Sequence, residues 1–408
     1  MTGSGGALPL AGLGVAAASW PAAAEAGRLL ALLGATVTAG DDPHVALRHG
    51  DRLVSAEPGD AATDWEHSGL AAVSGRPTGS PATVARAAAL AFELLSALTG
   101  PPVRVDGPAI LAHRLAFLPG RRAGTTSLGG AARLLRAADG WWALNLARPS
   151  DQELLPALVE AQVSGDPWAA VERWSAAAKV ADVIDRAVLL GLPAARVAET
   201  TTPGSPWDIA LRPARPRGIR PIRVVNLGAL WAAPLAAHLL SLAGAEVVDV
   251  EDGHRPDAAR TGMPSFYQAL HAGSTLCRLD FRSADGREEL RRRLADADVV
   301  IEASRPRALV ELGGPAEVIQ RDDRPRVWVR ITGHGPAQPH RVAFGDDAAA
   351  AGGLVAWDGS RPAFVGDAVA DPLTGLLAAV ATTALLRAGV SAVVDLSLSG
   401  SAAWATQL

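Results

Sequence analysis

Residues 222–251 read IRVVNLGALWAAPLAAHLLSLAGAEVVDVE. A β-branched run, a short turn, an apolar stretch with leucines at helical spacing, Gly244 and a second β-branched run predict strand, helix, strand. A glycine at position 244 lets the chain leave the helix and turn into the next strand. The alternation continues: strand over TLCRLDF (275–281), helix over ADGREELRRRLADA (284–297), strand over DVVIEA (298–303) and strand over RVWVRIT (326–332). Apolar strands alternating with helices predict an α/β fold, a doubly wound, mostly parallel, Rossmann-like sheet covered on both faces. Such a sheet takes its ligand at the carboxyl ends of its strands. The first turn, NLGALWAAP, holds Gly228 but no Gly-x-Gly-x-x-Gly, so a nicotinamide dinucleotide is not expected.

The following stretch, 344–395, carries the chemistry: FGDDAAAAGGLVAWDGSRPAFVGDAVADPLTGLLAAVATTALLRAGVSAVVD. Leu376, Leu377, Val380, Leu385 and Leu386 predict a helix buried on most sides. Asp371-Pro372 opens it. A carboxylate there caps free N–H groups and is favoured by the helix dipole, so Asp371 reads locally as an N-cap.

The 408 residues suffice for two or three lobes with a sizeable core. With 49% apolar and 20% charged residues the chain is globular, and a net charge of −4 gives no footprint for nucleic acid. Lys179 is the only lysine and reads as part of a helix, which leaves Schiff-base chemistry unsupported. A single cysteine, Cys277, excludes an intrachain disulfide and reads as a buried, inert thiol. No positive charge precedes Arg28 and no apolar run reaches membrane-spanning length, so the expected location is cytoplasmic, without membrane association. No metal-ligand motif stands out.

The chain also contains an internal repeat. Residues 12–38 (GLGVAAASWPAAAEAGRLLALLGATVT) follow the design of 226–251, with Gly34-Ala35 matching Gly244-Ala245 and Leu29-Leu30 matching Leu239-Leu240. Ser68–Ala72 pairs with Gly352–Ala356, and Asp106 with Asp395; counting back, Ala82 stands opposite Asp371. The first copy lacks the part that would match roughly 260–340 and lacks the carboxylate. The expected organisation is a degenerate copy over 1–120, a small α+β domain over 121–205, a proline- and arginine-rich linker over 206–222, and a Rossmann-like half over 223–408. In the small domain RLLRAADGWWALN predicts helix, tight turn at Asp139-Gly140, then strand. Trp141, Trp142, Trp168 and Trp174 read as packing residues, since no basic cluster interleaves them.

Glycine pairs, then Gly-x-x-x-Ala-Asp-x-x-x-Gly (366–375), an apolar helix and VVDLSL resemble the catalytic segment of the family III CoA-transferases. That family includes formyl-CoA transferase, the carnitine CoA-transferases and alpha-methylacyl-CoA racemase. GAEVVDVE, the Leu-Asp-Phe strand followed by Asp285-Gly286-Arg287, ADADVVIEASRP, Leu312-Gly313 and PRVWVRITGHG add to the likeness. The order is rearranged, with a shortened copy and the small domain ahead of the second half.

The resemblance implies a CoA-transferase moving CoA between an acyl-CoA and a carboxylic acid through an aspartyl-CoA thioester on Asp371, with coenzyme A as substrate. It implies a homodimer or a related partner chain, because the family's transferases form interlocked dimers. Around Asp371 it points to Trp231, Arg260, Arg305, Gly333, His334, Gly352 and Gly353 as CoA-side residues, with backbone N–H groups of Gly333–Gly335 or Gly352-Gly353 as oxyanion donors. Several family positions differ. Trp231 replaces a small polar or glutamine side chain, Asp252 a basic residue, His271-Ala272-Gly273-Ser274 an Asn-x-Gly-Lys, and Glu302-Ala303-Ser304 a Glu-Asn-aromatic phrase. Asp346 stands where the racemases carry histidine, which argues against racemization. The rival reading is a non-catalytic subunit that completes a partner's site.

Overall fold

A computed structural model describes residues 8–118, 122–201, 203–212, 214, 221–303 and 326–408. Arg305, Arg307 and Leu312-Gly313 lie outside the described residues.

The second half builds the predicted sheet. Strands β9 (Arg223–Asn226), β10 (Glu246–Asp252), β11 (Ser274–Leu279), β12 (Val299–Glu302), β13 (Val327–Thr332) and β16 (Ser391–Ser397) are parallel, in the order β11-β10-β9-β12-β13-β16. The order reverses between β9 and β12, the switch point at which a doubly wound sheet opens a crevice. β8 (Asp208–Arg212) pairs antiparallel with β16 at the edge. The segment expected as a linker therefore includes a sheet strand. Its half-buried Ile209 and Leu211 pack against the core, and that alternation is a strand signal inside a proline-rich context.

In the first half, β1 (Gly14–Ala17) and β2 (Thr36–Ala39) are parallel and joined by the helix Pro21–Leu32; β3 (Val45–His49) and β4 (Arg52–Ser55) extend the sheet antiparallel, in the order β2-β1-β3-β4. This β-helix-β unit has the element order of β9, helix Ala232–Leu242 and β10. Gly34 and Gly244 both adopt the left-handed conformation that ends the helix, at φ 102° and 91°. Ala82 is the second residue of the helix Pro81–Ala97, as Asp371 is of the helix Ala370–Ala388. The matched aspartates differ: Asp106 caps a short helix, accepting from the Ala109 N–H at 3.0 Å, while Asp395 lies inside β16 and pairs with Arg330.

The small domain corrects one element. RLLRAADG forms β5 (Ala132–Ala137), not a helix, and turns at Ala138-Asp139 into β6 (Gly140–Asn145), with β7 (Ala194–Arg196) alongside. Leu134 and Leu135 point to opposite faces, and each enters a different apolar cluster. A strand covered on both faces loses its apolar/polar alternation and imitates a buried helix. Trp142 is buried in this domain's own core, with Trp168 and Trp174 packed against it. Cys277 is half-buried rather than buried, since β11 is the edge strand of the large sheet.

The helix Ala370–Ala388 organises the interior. Leu373, Leu376, Leu377, Val380 and Leu385 are at most 1% exposed, and burial stabilises each by about 2 kcal/mol. The helix packs against Ala232–Leu242, Pro81–Ala97 and Leu398–Ala405. The two halves thus share one apolar core, running from Leu29 and Phe92 to Leu235 and Leu377, so residues 1–120 do not form a separate core of their own. None of the described helices is long and apolar enough to cross a membrane.

Gly375 sets the approach of two of these helices. A Cβ there would lie 2.7 Å from the Ala232 carbonyl oxygen and 3.0 Å from Leu235 Cβ. Gly375→Ala is expected to lower stability by about 1–3 kcal/mol despite alanine's better helix propensity. Thermal melting of the variant checks this, and an unchanged or raised Tm would refute the close approach.

Candidate active site

The helix Ala370–Ala388 delivers the chain to the amino end of β16. Its own amino end, with Asp371, therefore lies toward the carboxyl edge of the parallel sheet. Val369, not Asp371, is the N-cap, and Asp371 lies in the first turn. Its carboxylate is not spent on closing its own helix. Its Oδ2 instead lies against Gly345, at the start of the helix Gly345–Ala351, whose backbone amide favours the charged form. A Cβ at position 345 would overlap Asp371 Oδ2 and the Ala368 carbonyl oxygen, so only glycine brings the two segments this close.

Three more carboxyls converge here. Asp346 Oδ1 accepts from the Ala368 N–H at 2.8 Å. Asp347 Oδ1 accepts from the Phe344 N–H at 3.0 Å and from Asn145 Nδ2 at 3.1 Å. Asp367 lies 2.8 Å from Arg114 Nε. Asp346, Asp347 and Asp367 are buried, whereas Asp371 keeps partial access to solvent. Burial is the largest influence on all four and penalises the charged form. It pushes Asp371 up to about 7, with Asp346 and Asp367 adding like charge and Arg114 opposing them. Asp346 is also raised to about 7 and Asp347 to about 8, in each case first by burial. A carboxyl poised near neutrality in a half-buried residue, beside three buried ones, is the arrangement expected of a reactive group.

Trp231 lies beside this cluster. It is 1% exposed, meets Phe266 edge-on at 5.2 Å, and has Arg114 5.6 Å above its ring. Its indole N–H has no hydrogen-bond partner among the described residues. Arg260 lies farther out at the end of β10, bound to Glu251 at 2.6 Å and to the Tyr267 hydroxyl at 2.7 Å. Beneath it, Asp249 accepts from Asn226 Nδ2 at 2.8 Å and contacts His271 Nδ1 at 2.7 Å and the Ser274 hydroxyl. The sequence that replaces the family's Asn-x-Gly-Lys thus forms a buried polar network on the carboxyl edge.

The glycine turns play other parts than those expected. The Gly352 and Gly353 N–H groups donate to the Ala348 and Ala350 carbonyls, and Gly335 N–H donates to Thr332 Oγ1 at 3.0 Å. They are engaged and do not serve as free oxyanion donors. Gly352 instead lets the helix Gly345–Ala351 press against Ser399–Ala403. The Gly333 carbonyl accepts from Ser399 N–H at 3.1 Å. His334 is 3% exposed in its side chain, 3.7 Å from Glu199, and burial drives its pKa down to about 3, so it stays neutral. Asp252, His254 and Asp280 offer ligand atoms within 4.8 Å of one another; two of the three are exposed, as acidic surface groups often are without an ion.

The sequence reading missed Arg114, Asp367 and the role of Gly345. Asp367 and Gly345 stand in the quoted segment, but only folding brings them to Asp371. Arg114 comes from the other half of the chain and carries no local motif.

Residues 219–408 match the model of CoA-transferase family III. The chain is 30% identical over 199 residues to succinyl-CoA–D-citramalate CoA-transferase of Chloroflexus aurantiacus, covering 45% of this chain and 50% of that protein. It is 29% identical over 199 residues to succinate–glutarate CoA-transferase of Agrobacterium fabrum, covering 43% and 50%. A CaiB/BaiF family protein from Brucella suis aligns with a TM-score of 0.41 at 29% identity, covering 45% of this chain and 53% of that one. The chain spans about half the length of the curated relatives it matches.

Asp347 offers a test of the buried cluster. Its folded pKa lies above its ordinary value of 3.8. The fold therefore holds the proton more tightly than the unfolded chain, and this contribution to stability is present below about 4 and lost as pH rises to about 8. Asp347→Asn, which removes the titration, is expected to gain stability relative to the wild type between pH 5 and pH 8. Melting at both pH values checks it, and a constant difference would contradict the assignment.

Residues 219–408, with this carboxyl at the head of their central helix, are thus similar to CoA-transferase family III.

Proposed function

We propose that the protein transfers CoA between an acyl-CoA and a carboxylic acid, with Asp371 as the nucleophile. The observation that carries this reading is Asp371 itself, a half-buried residue free of capping duty and pressed against Gly345 among three buried carboxyls. Its oxygen attacks the thioester carbonyl carbon, the C–S bond breaks, and CoA leaves as thiolate, giving a mixed anhydride. The thiolate then attacks the aspartyl carbonyl and releases the first acid as its carboxylate. The acceptor carboxylate attacks the aspartyl-CoA thioester, and the thiolate completes the exchange by attacking the acyl carbon of the new anhydride. Each step conserves charge and needs no proton from solvent.

A carboxylate is a weak nucleophile in water, and burial with fixed geometry supplies the compensation. Desolvation raises its basicity, and only the ionised form attacks, so covalent capture is expected to rise with pH through about 7. The Gly345 N–H is the donor best placed to follow charge on the Asp371 oxygen. Arg260, at the carboxyl edge beside Glu251, is the side chain available to the CoA chain in this reading, with Trp231 packed beneath as part of the core.

The first half, with alanine at position 82, serves as a structural copy in this reading, and a homodimer or a related partner chain would complete the assembly. Relatives named as the alpha and beta subunits of a succinyl-CoA–L-malate CoA-transferase make a partner-completing subunit the second reading.

Incubation with succinyl-CoA, then hydroxylamine or borohydride, and mass spectrometry of the digested protein tests the assignment. An adduct at Asp371 is expected, and Asp371→Asn is expected to abolish it with the fold retained. No adduct in the wild type, with no CoA binding by calorimetry, would overturn the enzyme reading in favour of the subunit.

A further inference from the structure

Arg114 is the one described cation that acts on Asp346, Asp367 and Asp371 together. It belongs to the turn His113–Phe117 of the first half, whereas all the carboxyls belong to the second. Its Nε lies 2.8 Å from Asp367 Oδ2, and its guanidinium is 5.6 Å from the Trp231 ring and 5.9 Å from the Phe266 ring. Aromatic faces and the Asp367 carboxylate hold the fork in place. One positive charge thus faces three acidic groups in a site that burial makes poorly screened.

We propose that Arg114 is a positioning residue through which the first half of the chain sets the charge of Asp371, with Asp367 competing for the same guanidinium. This rests on the reading of Asp371 as nucleophile. When Arg114 is drawn to Asp367, Asp371 is less ionised; when Asp367 is neutral, Arg114 favours the Asp371 carboxylate. The first half, lacking its own carboxylate at Ala82, then has a part in the reaction that no single half supplies.

Other charged groups around the central helix do not take this part. Glu93 and Arg86 of the helix Pro81–Ala97 pair with Arg104 and Asp64. His238 of the helix Ala232–Leu242 faces the Ala272 carbonyl, and Arg330 of β13 pairs with Asp395 of β16. Arg387 lies at the far end of the Asp371 helix. Asp347, beside Asp346, turns toward Asn145, and His113 meets Phe266 edge-on at 5.5 Å.

The test is the pH dependence of adduct formation at Asp371 from succinyl-CoA, in single turnover. Arg114→Ala is expected to move the midpoint up by about one unit, which cuts the rate at about pH 7 about fivefold. Asp367→Asn is expected to move it down, and Arg114→Lys, which keeps the charge, to stay close to the wild type. A merely structural role would lower amplitudes without moving midpoints in opposite directions. Wild-type adduct with coincident midpoints in Asp367→Asn and Arg114→Lys, or a downward shift in Arg114→Ala, would overturn the inference. Absence of adduct in the wild type would instead overturn the reading of Asp371.

Discussion

The burial of one helix, Ala370–Ala388, constrains everything else. A 19-residue segment covered along nearly its whole length needs partners on every side. The large sheet, the Ala232–Leu242 helix, the C-terminal helix and the Pro81–Ala97 helix of the first half supply them. Its threonines turn their hydroxyls back onto the helix's own carbonyls, and its amino end, where β13 has run out and the Gly345–Ala351 helix begins, carries its carboxyl. Asp371 occupies that end, and the glycines at 345 and 375 let backbone close in around it.

The same burial gives the site its electrostatics. Taking four carboxyls out of water costs more than a single arginine offsets, so most of them favour the protonated form near neutrality. The cost falls differently on each. Asp347 is sealed and hydrogen-bonded to Asn145, Asp367 faces Arg114, and Asp371 is the one of the four residues that is only half-buried. Chemically identical side chains thereby acquire distinct roles from position alone.

The first half also acts as more than ballast for the core. Glu25 accepts from Trp404 Nε1 at 2.7 Å, and Arg28 lies 4.0 Å over the Trp404 ring, which ties the Pro21–Leu32 helix to the end of the chain. The turn carrying Arg114 reaches the acidic cluster from the same side of the chain's division. A half that has alanine where the other has aspartate still supplies packing and charge to the shared centre.

What the residues determined by themselves is local: β-branched runs for β9 to β13, Gly34 and Gly244 for the turns out of helices, and the Asp371-Pro372-Leu373-Thr374-Gly375 phrase for a helix start. These follow from backbone sterics and hydrophobic period, which act over a few residues. The β5 strand was misread because both its faces are covered, which erases the alternation that marks a strand. The β8 strand was hidden because its pairing with β16 is non-local. Arg114, Asp367 and Gly345 joined Asp371 only in the folded chain, since long-range packing brings together residues from both halves that no short-range pattern connects. Tertiary structure likewise decided that Gly352 and Gly353 spend their N–H groups on helix carbonyls, and that Asp371, rather than capping its helix, lies against Gly345.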